Sequence, residues 1–343
     1  MKKLNLNLLM ILAVIFSLSI VTTSCSSDDD GGGTAIEDLD GDGVADSEDP
    51  DIDGDGVPNE DDPDPTDPDV PGDTGTPDPV SVSGFLTEDQ TWTNDRFWIL
   101  EGKTYVQAGV TLTIEPGTII KGAPSSGSNA SALIVAQGGT LIADGTAQQP
   151  IIFTSEDDNI ALGETAGTNL GINDRQRWGG VLVLGNAPGS FSGDAESIQV
   201  EGIPADEPGL YGGNDPADSS GILNYISIRH GGAVIGSDNE INGLTLGGVG
   251  TGTQVSNIEV VANLDDGVEW FGGTVDSSNI LVWGCGDDQL DLDEAYSGTV
   301  SNAVTIQTNV SDHGFEIDGP AGSFQDSFTI ENVTMFGDSS SQS

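Results

Sequence analysis

The sequence predicts an all-β body, a right-handed parallel β-helix, and three observations carry that expectation. Glycine supplies 49 of 343 residues, about twice ordinary usage, while strong helix formers are scarce and no amphipathic helical pattern stands out after Val80. The segment Val106-Gln-Ala-Gly-Val-Thr-Leu-Thr-Ile114 matches Val135-Ala-Gln-Gly-Gly-Thr-Leu-Ile-Ala143 at a spacing of 29 residues. Apolar-x-apolar triplets starting at Ile226, Ile258, Ile280, Val304 and Val333 then recur at intervals of 32, 22, 24 and 29. Asn257, Asn279 and Asn332 directly precede their triplets, as a stacked ladder at a turn would require. Asn302 lies one residue further back, which predicts a bulge there. Coils of this length stack ~4.8 Å apart and bury one continuous interior. A sandwich or barrel would instead show hairpin spacing of about 8–12 residues with Asn-Gly turns.

The elements before the body follow in order. Lys2-Lys3, an uncharged apolar run from Leu8 to Val21 and the small residues Thr22-Thr23-Ser24 form a signal peptide over residues 1–24. The 14-residue run is shorter than the ~20 residues a membrane-spanning helix needs. The residues before Cys25 resemble a bacterial lipobox, with Thr22 where the usual pattern has leucine, and the resemblance implies that Cys25 is lipidated. Ser26-Ser-Asp-Asp-Asp30, within a tether over residues 25–37, resembles the signal that sends flavobacterial-type lipoproteins to the outer face of the outer membrane. The expected location is therefore the cell outer membrane, lipid-anchored and surface-exposed. With Cys25 carrying lipid, Cys285 has no partner, so no disulfide is expected and the thiol reads as a small buried side chain.

Residues 38–63 contain a tandem array with a period of 13. Asp38, Asp40, Asp42, Val44, Asp46 and Asp49 recur as Asp51, Asp53, Asp55, Val57, Asn59 and Asp62. These fall at positions 1, 3, 5, 7, 9 and 12 of a calcium loop, with Gly43 and Gly56 at the sharp turn and a backbone carbonyl from each valine. Nine carboxylates and one amide repel one another unless a hard cation joins them. Ca²⁺ accepts six to eight oxygens in flexible geometry, which suits such a set better than Mg²⁺ does. The period leaves no room for flanking helices, which excludes paired EF-hands. The array resembles thrombospondin type 3 repeats without their cysteines, which implies that metal alone orders it. Residues 64–80 read as an extended Pro/Asp linker.

Charge narrows the range of partners. The chain carries 57 Asp+Glu against 8 Lys+Arg. Nucleic acid is excluded because no basic surface is available for phosphate. The six cations of the body are Arg96, Lys103, Lys121, Arg175, Arg177 and Arg229, with none after Arg229. Polyanionic polysaccharide would meet uncompensated acid, which argues against it as a ligand.

Within the body, residues 81–343, the segments Thr111–Thr118, Trp178–Gly185, Ile228–Gly232 and Asn242–Gly247 resemble a family of flavobacterial-type (Bacteroidota) surface lipoproteins with β-helix bodies. That resemblance implies fold and location, with no established activity. It also implies that such chains continue past Ser343, leaving the last coil here uncapped. Three successive units carry Asp265-Asp266 with Glu269, Asp287-Asp288 with Asp291, and Asp312-His313 with Glu316. Stacked, these form the columns Asp265/Asp287/Asp312, Asp266/Asp288/His313 and Glu269/Asp291/Glu316. Such columns suit a solvated edge, a second calcium site or paired carboxylates for hydrolysis. The catalytic version resembles polygalacturonase-type hydrolases, which implies Asp265, Asp287, Asp288 and His313 as its residues, but the Arg-x-Lys segment of those enzymes is missing. Two functions result. One is a calcium-binding surface lipoprotein whose β-helix meets an extracellular glycan or surface protein. The other is a neutral-glycan hydrolase.

Overall fold

The computed structural model describes residues 38–60, 62, 64–68, 77–236 and 239–339. The signal peptide, Cys25 and the tether lie outside the described residues. The chain divides into two compact units, residues 1–74 and residues 75–343.

The larger unit is a parallel β-helix. Nineteen strands join one continuous ladder, and its pairings are parallel throughout. Each turn of chain visits three stacks. The first runs through residues 90–92, 111–114, 140–144, 221–224, 254–256, 277–278, 299–301 and 329–331. The second runs through 80–82, 97–100, 119–122, 151–155, 226–229, 258–261, 280–283, 303–306 and 334–336. The third runs through 84–86, 103–106, 132–135, 181–184, 244–247, 268–271, 290–293 and 316–317.

Alternation along each strand separates inside from outside. Leu133, Val181, Leu244, Val268 and Leu290 point inward from the third stack and join an apolar core that extends from Leu86 to Ala303. Trp92, Trp178 and Trp270 are fully buried. Their indole N–H groups donate to Gln90 Oε1, the Arg229 carbonyl and Ser277 Oγ, so the large rings enter the core without an unpaired donor. Outward residues in the middle of the third stack do not face open water. Ile134, Leu182, Leu184 and Phe271 pack under Phe191, Ile203, Tyr211 and Ile241, contributed largely by the insertion between Val181–Leu184 and Gly221–Arg229.

The repeat of 29 residues is borne out by register, with Val106 beside Val135 and Leu112 beside Leu141. The bulge expected at Asn302 is not there. Ile280 pairs with Ala303 and Val282 with Thr305, which places Asn302 in line with Asn279. The inward residues of this coil are therefore Ala303 and Thr305, both at most 1% exposed, and the apolar Val304 and Ile306 face outward. Reading only apolar residues shifted the frame by one, because a small and a hydroxyl side chain occupy the interior here.

Asn257, Asn279, Asn302 and Asn332 all take φ between 54° and 57° at the corner between the first and second stacks. Asparagine tolerates this left-handed conformation better than other residues with a Cβ. Side chains link the coils, as Asn279 Nδ2 donates to Asn257 Oδ1 at 3.1 Å and Asn302 Nδ2 donates to Asn279 Oδ1 at 3.3 Å. Replacing Asn279 by alanine removes both bonds and leaves a Cβ at positive φ, with an expected cost of about 1–2 kcal/mol. Asn279→Gly relieves the backbone part and should lose less. Equal losses for the two variants in urea denaturation would contradict the conformational part of this account.

Candidate functional site

Two acidic sites were anticipated, and the structure organises each differently. In the smaller unit, Gly43 and Gly56 take φ of 98° and 97°, and Gly41 and Gly54 take 77° and 72°, so the two 13-residue loops repeat one conformation. Hydrogen bonds repeat with them. Val44 N–H donates to Asp42 Oδ1 and Val57 N–H to Asp55 Oδ1, both at 2.8 Å. Asp46 Oδ1 accepts from Leu39 N–H at 2.8 Å and Asn59 Oδ1 from Ile52 N–H at 2.9 Å. Asp49 and Asp62 close the loops by accepting from Asp51 N–H and Asp64 N–H.

Side-chain oxygens of Asp38, Asp40 and Asp42 converge within 4.8 Å of one another, as do those of Asp51, Asp53 and Asp55. Four oxygens, Asp49 Oδ2, Asp51 Oδ1, Asp53 Oδ2 and Asp55 Oδ2, are buried without a hydrogen-bond partner. Burial raises the Asp53 carboxyl above its ordinary range, aided by the charges of Asp55, Asp62 and Asp51. This all-oxygen donor set fits a hard dication.

In the β-helix the predicted columns form. Glu269 pairs with Asp291 and Asp291 with Glu316 along the third stack. The second column is tied by side chain to backbone. Asn242 Oδ1 accepts from Asp266 N–H at 3.3 Å, Asp266 Oδ1 from Asp288 N–H at 2.9 Å, and Asp288 Oδ1 from His313 N–H at 2.6 Å. Asn242 is a rung that the acid-only pattern missed, because an amide oxygen serves the N–H as well as a carboxylate does. Asp265, Asp287 and Asp312 line a cleft of about 510 Å³ with Glu240 and Val310.

Depth separates the four catalytic candidates. Asp265 and Asp287 reach the cleft. Asp288 is 1% exposed and also meets His313 Nδ1 at 3.0 Å, which makes it part of the wall. His313 is held above its ordinary pKa by the carboxylates of Asp288 and Asp312, against the opposing effect of burial.

The acids of this wall favour protons. Burial and the charge of Asp287 push Asp265 up to about 7. Burial and Asp293 push Asp291 up to about 7, and burial pushes Asp293 up to about 6. The hydrogen bond with Asp288, then burial, brings Glu316 to about 7. Asp266 and Glu269 are raised well above the carboxylate range, chiefly by burial.

A third feature was not legible as a motif. The long connection between Ile151–Ser155 and Val181–Leu184 is pinned by four of the six body cations. Lys121 Nζ donates to the Asp158 carbonyl at 2.7 Å, Arg175 Nε to the Gly284 carbonyl at 2.8 Å and Arg229 Nη1 to the Thr165 carbonyl at 2.8 Å. Arg177 Nη2 meets Asp174 at 2.7 Å. This loop forms one side of a cleft of about 300 Å³ lined by Leu170, Ile172, Arg229, His230, Glu259 and Trp283. Trp283 is 43% exposed, in contrast to the three buried tryptophans.

Residues 84–343 match the family model described as the pectate-lyase like beta helix domain. The chain belongs to that family. No curated protein and no solved structure matches the chain. Within this pectate-lyase like beta helix domain no lysine or arginine lines the cleft of Asp265 and Asp287. Arg96 pairs with Asp95 and Lys103 with Glu207, and the other four cations hold the loop.

The raised carboxyls set a pH dependence. The folded wall binds more protons than the unfolded chain between about pH 4 and 7, so its contribution to stability is present at low pH and is lost as pH rises through that window. The elevated His313 acts in the same direction. In chelator-containing buffer the thermal midpoint of the β-helix should fall between pH 5 and pH 8. A midpoint that rises over this interval would contradict the assignment.

Proposed function

We propose that this protein is a calcium-binding surface lipoprotein, anchored in the outer membrane through Cys25, whose acidic repeats form a stalk and whose β-helix binds a neutral extracellular glycan. The observation that carries the calcium part is the pair of loops with one repeated conformation and partnerless buried oxygens on Asp49, Asp51, Asp53 and Asp55. Extracellular calcium modules of this kind bind in the range of about 10⁻⁴–10⁻³ M. Calorimetry on the full chain should record Ca²⁺ uptake that weakens at least about tenfold in Asp53→Asn, as expected for loss of one charged ligand. Undiminished uptake in that variant would remove the stalk from the account.

Glycan binding is supported by the cleft beside Trp283. An exposed indole gives a flat apolar face for a sugar ring, and the Arg229–Glu259 pair at 3.1 Å supplies polar groups with no net charge. Arg229 offsets one of the two acids of the lining, Glu259, and the other, Asp158, is buried, so this cleft repels a neutral or polar ligand less than the rest of the acidic body would. Trp283→Ala should abolish retention on a glycan array while leaving the thermal midpoint nearly unchanged, since the ring is half outside the core. Retention by the variant at parent strength would move the ligand elsewhere.

Hydrolysis is the second reading, and one observation favours it: Asp265, its carboxyl pushed up to about 7 by burial and the charge of Asp287, stands beside Asp287 in an open cleft. Oxygens of the two lie within 4.8 Å, closer than the ~6.5–9.5 Å of inverting glycosidases. Release of reducing sugar from a bound glycan, abolished by Asp287→Asn, would establish this reading over simple binding.

A further inference from the structure

The acids of the β-helix wall do not act only as columns. We propose that Asp266, Glu269 and Asp291 together hold one Ca²⁺ inside the wall, a site separate from the acidic repeats. Asp266 also stands within 4.8 Å of Asp265 and Asp287, and the buried trio is distinguished from that neighbouring cleft by Glu269 and Asp291. Their ligand oxygens lie within 4.8 Å of one another, and the residues are 9%, 5% and 6% exposed.

Backbone geometry prevents these groups from separating. Glu269 and Asp291 are direct partners on adjacent parallel strands, where the spacing is ~4.8 Å. Asp266 sits at the turn just before Val268–Phe271, and its Oδ1 is fixed by Asp288 N–H. A like-charged trio at this distance in a dry setting demands a proton or a cation.

The donors are too few. Asn242 Nδ2 donates to Glu269 Oε2, and Asp288 N–H serves Asp266. Asp291 Oδ1 is buried with no donor facing it, and the Glu269 carboxyl beside it can bond to Asp291 only by carrying a proton itself. No lysine or arginine forms a salt bridge with any of the three among the described residues. Three carboxylates and no nitrogen or sulfur ligand select a hard cation, and Ca²⁺ accepts such oxygens in flexible geometry without the near-ideal octahedron and retained waters that Mg²⁺ demands.

The ion would join two consecutive coils on their outer side. It would do for the carboxylates what the asparagine ladder does at the opposite corner, linking one coil to the next.

The test uses the full chain with Asp38, Asp40, Asp42, Asp51, Asp53 and Asp55 all replaced by asparagine, so that uptake by the repeats is removed. Calorimetry should then record one remaining Ca²⁺ per chain, and Ca²⁺ should raise the thermal midpoint of the β-helix. Adding Asp291→Asn should abolish both effects. In chelator the same variant should melt at or above the parent temperature, because it removes a repulsion; this separates loss of a ligand from loss of fold. Asp287→Asn, which alters the neighbouring cleft, should retain the uptake. Absence of residual uptake, its persistence in Asp291→Asn, or its loss in Asp287→Asn would each overturn the assignment. None of these results depends on whether the repeats themselves bind calcium.

Discussion

Parallel stacking in register is the constraint on which the rest of this molecule depends. Each coil lies one strand spacing from the next, so a side chain meets its counterpart in the neighbouring coil more reliably than anything else. A residue type repeated at the coil interval becomes a continuous column. Apolar columns make the core, asparagine columns make a hydrogen-bonded corner, and acidic columns make a wall of high charge density. The same geometry that rewards Ile258 over Ile280 penalises Glu269 over Asp291.

The acidic wall therefore cannot be a passive by-product of composition. Solvated acids at a surface separate by rotating away from one another, but Glu269 and Asp291 are tied to paired strands and buried. Their charge has to be cancelled locally, by protons or by a cation. The outward column of the third stack changes character along the helix, from Leu182 through Thr245 to Glu269, Asp291 and Glu316. Its early part needs apolar cover, and its late part needs neutralisation.

The distribution of positive charge is equally telling. A body with so few cations places Lys121, Arg175, Arg177 and Arg229 on a single connection, mostly through bonds to backbone carbonyls. Those bonds position the loop without requiring matching acids, so they persist in a strongly negative molecule. The resulting cleft beside Trp283 has a cation, Arg229, set against Glu259 and the buried Asp158, whereas the cleft of Asp265 and Asp287 has no cation in its lining. Ligand chemistry should differ between them accordingly: a neutral ring at the first, a cation or a proton-donating carboxyl at the second.

Much of the architecture was legible in the sequence because periodic chemistry maps directly onto stacked coils. The spacing from Val106 to Val135, the asparagines before the strands and the acid triplets needed only alignment to become columns, and the 13-residue loops needed only their Asp and Gly positions. Where the interior used Ala303 and Thr305, the apolar signal pointed to Val304 and Ile306 instead, and only register corrected the frame. Asn242 escaped notice because it replaces an acid by an amide with the same acceptor. Burial decided the remainder. Asp265 and Asp266 are adjacent in sequence, yet Asp265 lines a cleft while Asp266, 9% exposed, accepts from Asp288 N–H within the wall. Sequence by itself determined which residues recur at coil spacing. Tertiary structure decided which of them are dry, since that depends on the segments that fold over them from elsewhere in the chain.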